Sequence, residues 1–212
     1  LKLDMKSAAV DTIPAKAFYA LDSLTIYRFH FVLPRSLTFI GDSAFAGWTQ
    51  MFFKPEFEVT GPFPKTGKAP FSRYDWMNVP IPLAWYWTVS DDNVYCVEED
   101  YGIYSADLKV LYIKSNPYYD GWEADNVLPG TEFIAENAFS FRYLFNYLVI
   151  PESVKRISDY AFESICLPMT SNGHIEELGI LCMSKEPPLL GKEAFANNDY
   201  NKDRIFIFVP DD

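Results

Sequence analysis

The sequence predicts an α/β solenoid: one curved stack of short repeats, strand-rich overall, with a parallel sheet of short strands joined by short helical turns or loops. Three observations carry this. Eight of the 15 prolines follow a branched aliphatic residue, at 14, 34, 80, 82, 129, 151, 168 and 210. The dipeptide Ala-Phe occurs five times, where 16 Ala and 18 Phe in 212 residues would give about 1.4 by chance. The two markers also keep phase with each other.

Proline cannot donate to a β-ladder and biases the residue before it to extended geometry, so an aliphatic-Pro pair reads as a strand stop. Phe29–Leu33, Tyr147–Ile150 and Ile205–Val209 are short β-type runs that such pairs close. Ala-Phe follows at 17–18, 44–45, 138–139, 161–162 and 194–195. Pro34 precedes Phe45 by 11 residues, Pro129 precedes Phe139 by 10, and Pro151 precedes Phe162 by 11. Between these markers lie Leu37 and Ile40, Phe133 or Ile134, and Val154 and Ile157. Gly67-Lys-Ala-Pro-Phe71 is a degenerate copy that parallels Gly191-Lys-Glu-Ala-Phe195. Units of this length cannot bury an apolar face alone, so neighbours stack, a Phe ladder fills the coil, and the preceding Ala lets backbones approach. The rhythm breaks after Phe71. There an irregular aromatic insertion at about 72–92 and a hairpin at about 93–115 interrupt a single solenoid covering 1–212.

Composition removes several classes of function. The formal net charge of −11 argues against an electrostatic grip on nucleic acid. No apolar run approaches the roughly 18 residues of a membrane span. Because the chain starts at Leu1 without methionine or a signal segment, a processed or trimmed product is expected, and a lipid anchor could have left with the removed amino terminus. Three cysteines, Cys96, Cys166 and Cys182, match no zinc spacing. Buried free thiols and a Cys166–Cys182 bridge both fit the count.

The units Ile40-Gly-Asp-Ser-Ala-Phe45 and Ile157-Ser-Asp-Tyr-Ala-Phe162 resemble the BspA-type leucine-rich repeats of bacterial surface proteins, common in Bacteroidetes. Trp48 and Ile165 stand where that pattern usually has Cys. Asp100–Leu111 is similar to the non-repeat hairpin of such proteins, and Pro187–Pro210 to their usual carboxyl end. The resemblance implies a leucine-rich-repeat solenoid that is secreted or held at the bacterial outer surface and serves adhesion or recognition of an extracellular protein or glycan. It supplies no catalytic residues and no cofactor.

The residues themselves offer little chemistry. His30 and His174 are the only histidines, and no Gly-x-Ser-x-Gly elbow or phosphate loop occurs. Asp199-x-Asn201-x-Asp203 opens like a calcium loop but has Arg204 and Pro210 at the two deciding positions. Asp91, Asp92, Glu98, Glu99, Asp100 and Asp107 cluster in Val89–Asp107 with no Lys or Arg among them. They suit a solvated rim; the alternative is a carbohydrate-active enzyme with two facing carboxyls. A further alternative is a scaffold segment of a longer surface protein.

Aromatic residues are the binding candidates. Trp85 and Trp87 alternate on one strand face, Trp122 sits in a turn-rich segment, and all three suit either a core plug or a stacking platform. Counting back from the pre-proline residue puts Leu33, Ile150 and Val209 inward. His30, Val32, Tyr147, Val149, Phe206 and Phe208 then face outward as an aromatic strip, with Tyr147, Phe206 and Phe208 as candidate ligand contacts.

Overall fold

The computed structural model describes residues 2–19, 28–47, 54–72, 86–115, 126–142, 144, 147–165, 167, 177–196 and 202–210. Long and short strands alternate along the chain. The first half runs β1 (Lys2–Asp4), β2 (Thr12–Ile13), β3 (Arg28–Val32), β4 (Phe39–Ile40), β5 (Lys54–Val59), β6 (Lys65–Thr66) and β7 (Tyr86–Val89). A meander of β8 (Cys96–Glu99), β9 (Gly102–Ser105) and β10 (Val110–Lys114) follows. The second half runs β11 (Phe133–Ile134), β12 (Tyr147–Ile150), β13 (Arg156–Ile157), β14 (Leu178–Cys182), β15 (Leu189–Leu190) and β16 (Ile205–Phe208).

Strands of equivalent position pair in parallel, one repeat onto the next. Long strands build β1-β3-β5-β7 and β12-β14-β16; short strands build β2-β4-β6 and β15-β13-β11, the latter continuing through β10 into antiparallel β9 and β8. The molecule is therefore a β-solenoid. The α/β label needs correction: among the described residues the single helical element is a 3₁₀ turn at Lys202–Arg204. The reason lies in the turns. The residue before each anchor dipeptide has positive φ, at Lys16 (57°), Ser43 (51°), Ala69 (47°), Asn137 (60°), Tyr160 (56°) and Glu193 (52°). A left-handed residue stops a right-handed helix from forming across the turn.

Ala69 shares this conformation, and the amide of Phe45 donates to Pro70 O as that of Phe162 donates to Ala194 O, so Gly67–Phe71 is a true repeat turn. Successive anchors stack: Phe18 on Phe45 at 5.0 Å, Phe45 on Phe71 at 5.7 Å, Phe139 on Phe162 at 4.8 Å, and Phe162 on Phe195 at 4.9 Å. These separations follow the strand spacing of about 4.8 Å that generates them. A second ladder, Phe31, Phe57 and Trp87, rises from the long strands in register, with stacking distances of 5.1 and 4.8 Å. The two ladders meet edge to face, as Phe31 and Phe57 do around Phe45.

Two inward and outward expectations need correcting. Val32 faces outward by parity, yet it is buried, so the outer face of β3 is covered at its last residue, while His30 on that face keeps partial exposure. Val209 belongs to the inward row but is exposed, as is Ile207, because no further repeat stacks on them among the described residues. Cys96 and Cys182 are buried free thiols; Cys166 lies outside the described residues.

Candidate functional site

The aromatic candidates separate into three groups. Trp85 and Trp122 lie outside the described residues. Trp87 is a correction: it is 2% exposed, occupies the register position of Phe57, stacks on that ring and meets Phe71 edge to face. Its place is the core, since burial there removes more apolar area from water than a surface platform could. Tyr147, Phe206 and Phe208 are exposed, at 47%, 43% and 56%.

These last three share one face of the β12-β14-β16 sheet. Parallel register aligns Tyr147 with Gly179 and Phe206, and Val149 with Leu181 and Phe208. Alternation turns both rows to the opposite side from the row between them, in which Leu148 and Ile180 are buried and Ile207 is exposed. All six outward residues lack a formal charge, in a chain carrying −11. Gly179 sits mid-strand without positive φ and without a register shift, so neither backbone strain nor a bulge requires a glycine there. It places no side chain between two aromatic residues two strands apart, roughly 9.6 Å.

The acidic segment is built into turns. Asp92 accepts hydrogen bonds from Lys6, Ser90 and Arg35, which hold its carboxyl at about 2. Asp100 Oδ2 lies 2.9 Å from Nζ of buried Lys114. Asp107 accepts from Ser105 and from the amide of Lys109, and these bonds lower its carboxyl. Burial, and then the nearby charge of Glu56, raises the Glu98 carboxyl. His30 Nε2 lies 3.1 Å from Glu58 Oε2 on the outer side of β3 and β5.

A feature that sequence reasoning missed lies where the halves of the solenoid meet. β6 ends one short-strand ladder and β10 and β11 belong to the other; between them is a cavity of about 290 Å³. Phe63, Tyr112 and Phe133 line it together with Lys65, Glu136 and Ser158. Phe63 and Tyr112 stack at 5.0 Å with 7° between their planes, and Phe63 rests against Trp87. Across the junction, buried Asn137 donates from Nδ2 to Thr66 Oγ1 at 2.8 Å and to Gly67 O at 3.0 Å. Lys68 lies 5.3 Å above the Tyr160 ring. One sequence signal was available: Thr66 takes the slot that Ile13, Ile40, Ile134 and Ile157 fill elsewhere, marking a place where the apolar row is interrupted.

The family comparison agrees with the repeat reading. The family described as BspA type Leucine rich repeat region matches in six copies over residues 2–62 and 131–185, together more than half of the chain. Among solved structures, the pneumococcal vaccine antigen PcpA is similar at 17% identity and a TM-score of 0.47, with 90% of this chain and 58% of that one covered. A leucine-rich repeat protein from Eubacterium ventriosum is similar at 16% identity and a TM-score of 0.39, covering 90% of this chain and 63% of that one. The chain thus spans about three fifths of the length of either. No curated protein matches.

Proposed function

Because the chain belongs to the BspA-type leucine-rich-repeat family, we propose that it is a non-enzymatic recognition scaffold, secreted or displayed on a bacterial surface, that docks an extracellular protein through the outer face of β12, β14 and β16. One observation carries the reading: the uncharged double row Tyr147–Gly179–Phe206 and Val149–Leu181–Phe208, with its aromatic members exposed. An aromatic, charge-free patch is the composition found at the centre of protein interfaces, where Tyr and other large side chains provide most of the binding energy. The −11 charge elsewhere discourages indiscriminate association and suits a partner whose rim is basic. The Val89–Asp107 acids fit this reading better than a catalytic one, because Asp92, Asp100 and Asp107 each hold a cation or a turn in place.

The test is binding to an array of purified extracellular-matrix and host-surface proteins, with Tyr147→Ser/Phe206→Ser compared against the parent chain. Loss of at least about tenfold in affinity, with an unchanged melting midpoint, is expected. A silent array, or a variant that binds as the parent does, would refute the assignment to this face.

A further inference from the structure

The junction cavity is separate from the β12-β14-β16 face and calls for a different ligand. Its lining is divided by chemistry. One part is a rigid apolar platform, since Tyr112 is stacked on Phe63 and Phe63 is braced by Trp87. Phe133, which lines the same space, is 40% exposed. The other part is polar: Glu136 offers acceptors, Lys65 offers donors, and the hydroxyls of Thr66 and Ser158 offer both.

Each property removes a class of occupant. At about 290 Å³ the space is at the small end of ligand pockets, too small for a helix or strand of a partner and right for one or two rings. Lys65 and Glu136 contribute opposite charges, so the lining favours no net charge, and the chain at −11 disfavours an anion. A wholly apolar ring would make no use of Lys65, Glu136 and Ser158 and would withdraw the part-buried Glu136 further from water, at a cost. The ligand that satisfies both parts has a hydrocarbon face and an edge of hydroxyls. We propose that the cavity binds one neutral pyranose residue, its C–H face on Tyr112 and Phe133 and its hydroxyls toward Glu136, Lys65 and Ser158. The raised pKa of Glu136, caused first by burial and then by Asp159, fits a carboxyl already partly withdrawn from water.

The proposal is tested by saturation-transfer NMR and calorimetric titration of the full chain with methyl glycosides of glucose, galactose, mannose and N-acetylglucosamine. The β-linked disaccharides of the same sugars distinguish a glycan end from a free monosaccharide. Saturable binding of at least one sugar at roughly millimolar Kd is expected, with Phe133→Ala and Glu136→Gln each weakening it by about tenfold or more. Neither residue is among the large, fully buried side chains, so both variants should keep the parental melting curve. Absence of binding to every sugar up to about 50 mM would overturn the proposal. So would equal binding by parent and variants, or displacement of the sugar by N-acetyl-tryptophanamide, which would make the cavity a site for an aromatic side chain.

Discussion

Each repeat turn keeps a non-glycine residue in left-handed geometry, and that is where single substitutions should speak most clearly. Ser43, at φ 51°, has no steric licence for this conformation, whereas Asn137, at 60°, is of a type that tolerates it. Ser43→Gly is expected to raise stability by up to about 1 kcal/mol, read as a higher urea midpoint at constant m-value. Gly67→Ala should do the opposite. Its new Cβ would fall 2.2 Å from Asp42 Oδ1, the oxygen that accepts from the Lys68 amide at 2.8 Å. A loss of about 1–3 kcal/mol is expected in the same denaturation experiment. Gly191 meets Asp159 in the same way, which explains why glycine recurs at this point of the repeat. Acid supplies a further residue-scale test. The carboxyls of Asp92 and of Glu132, which is paired with Lys109 and Lys155, both sit at about 2. Their pKa values are depressed on folding, so their stabilisation is complete above the unfolded value near 4 and disappears as pH falls toward 2. Asp92→Asn with Glu132→Gln should therefore flatten the decline of the urea midpoint over that window.

At the level of elements, the aromatic ladders determine what the repeats are worth. Phe162 is fully buried between Phe139 and Phe195, and Phe162→Ala should cost about 3–5 kcal/mol by equilibrium unfolding. The anchors and strand stops were legible because proline and Ala-Phe are strong local signals tied to backbone chemistry. β3, β12 and β16 end at or next to the residues that precede Pro34, Pro151 and Pro210. The helical turns were not legible as turns, since nothing about Lys16, Ser43, Tyr160 or Glu193 as residue types announces positive φ. Trp87 stayed open between core plug and surface platform for a related reason. It follows Phe57 by 30 residues as Phe57 follows Phe31 by 26, a strand-borne ladder without the Ala-Phe marker that would have revealed it. Tyr147 and Phe206 were placed outward by the two-residue strand period alone, while Val32 escaped that rule because the outer face of β3 is covered at its last residue.

For the whole molecule, two apolar clusters stack end to end and meet at β10, where Ile113 joins the first and Leu111 the second. Stability in such a stack is close to a sum over repeats and their interfaces, so the last described strand, whose Ile207 and Phe208 are exposed, should exchange its amides fastest. The proposed function follows the same division between interior and exterior: the interior row of each ladder holds the coil, and the uncharged outer face of β12, β14 and β16 is the surface proposed for a partner. The junction left only the Thr66 interruption in the sequence, because it joins residues about 70 positions apart, as Thr66 and Asn137 show. The most direct test of this account compares Tyr147→Ser/Phe206→Ser with Trp87→Ala on one protein array alongside their unfolding curves. The surface pair is expected to abolish binding at unchanged stability. Trp87→Ala is expected to lose about 3–5 kcal/mol while its folded fraction still binds. Binding that survives the surface pair but disappears from folded Trp87→Ala would contradict the proposal.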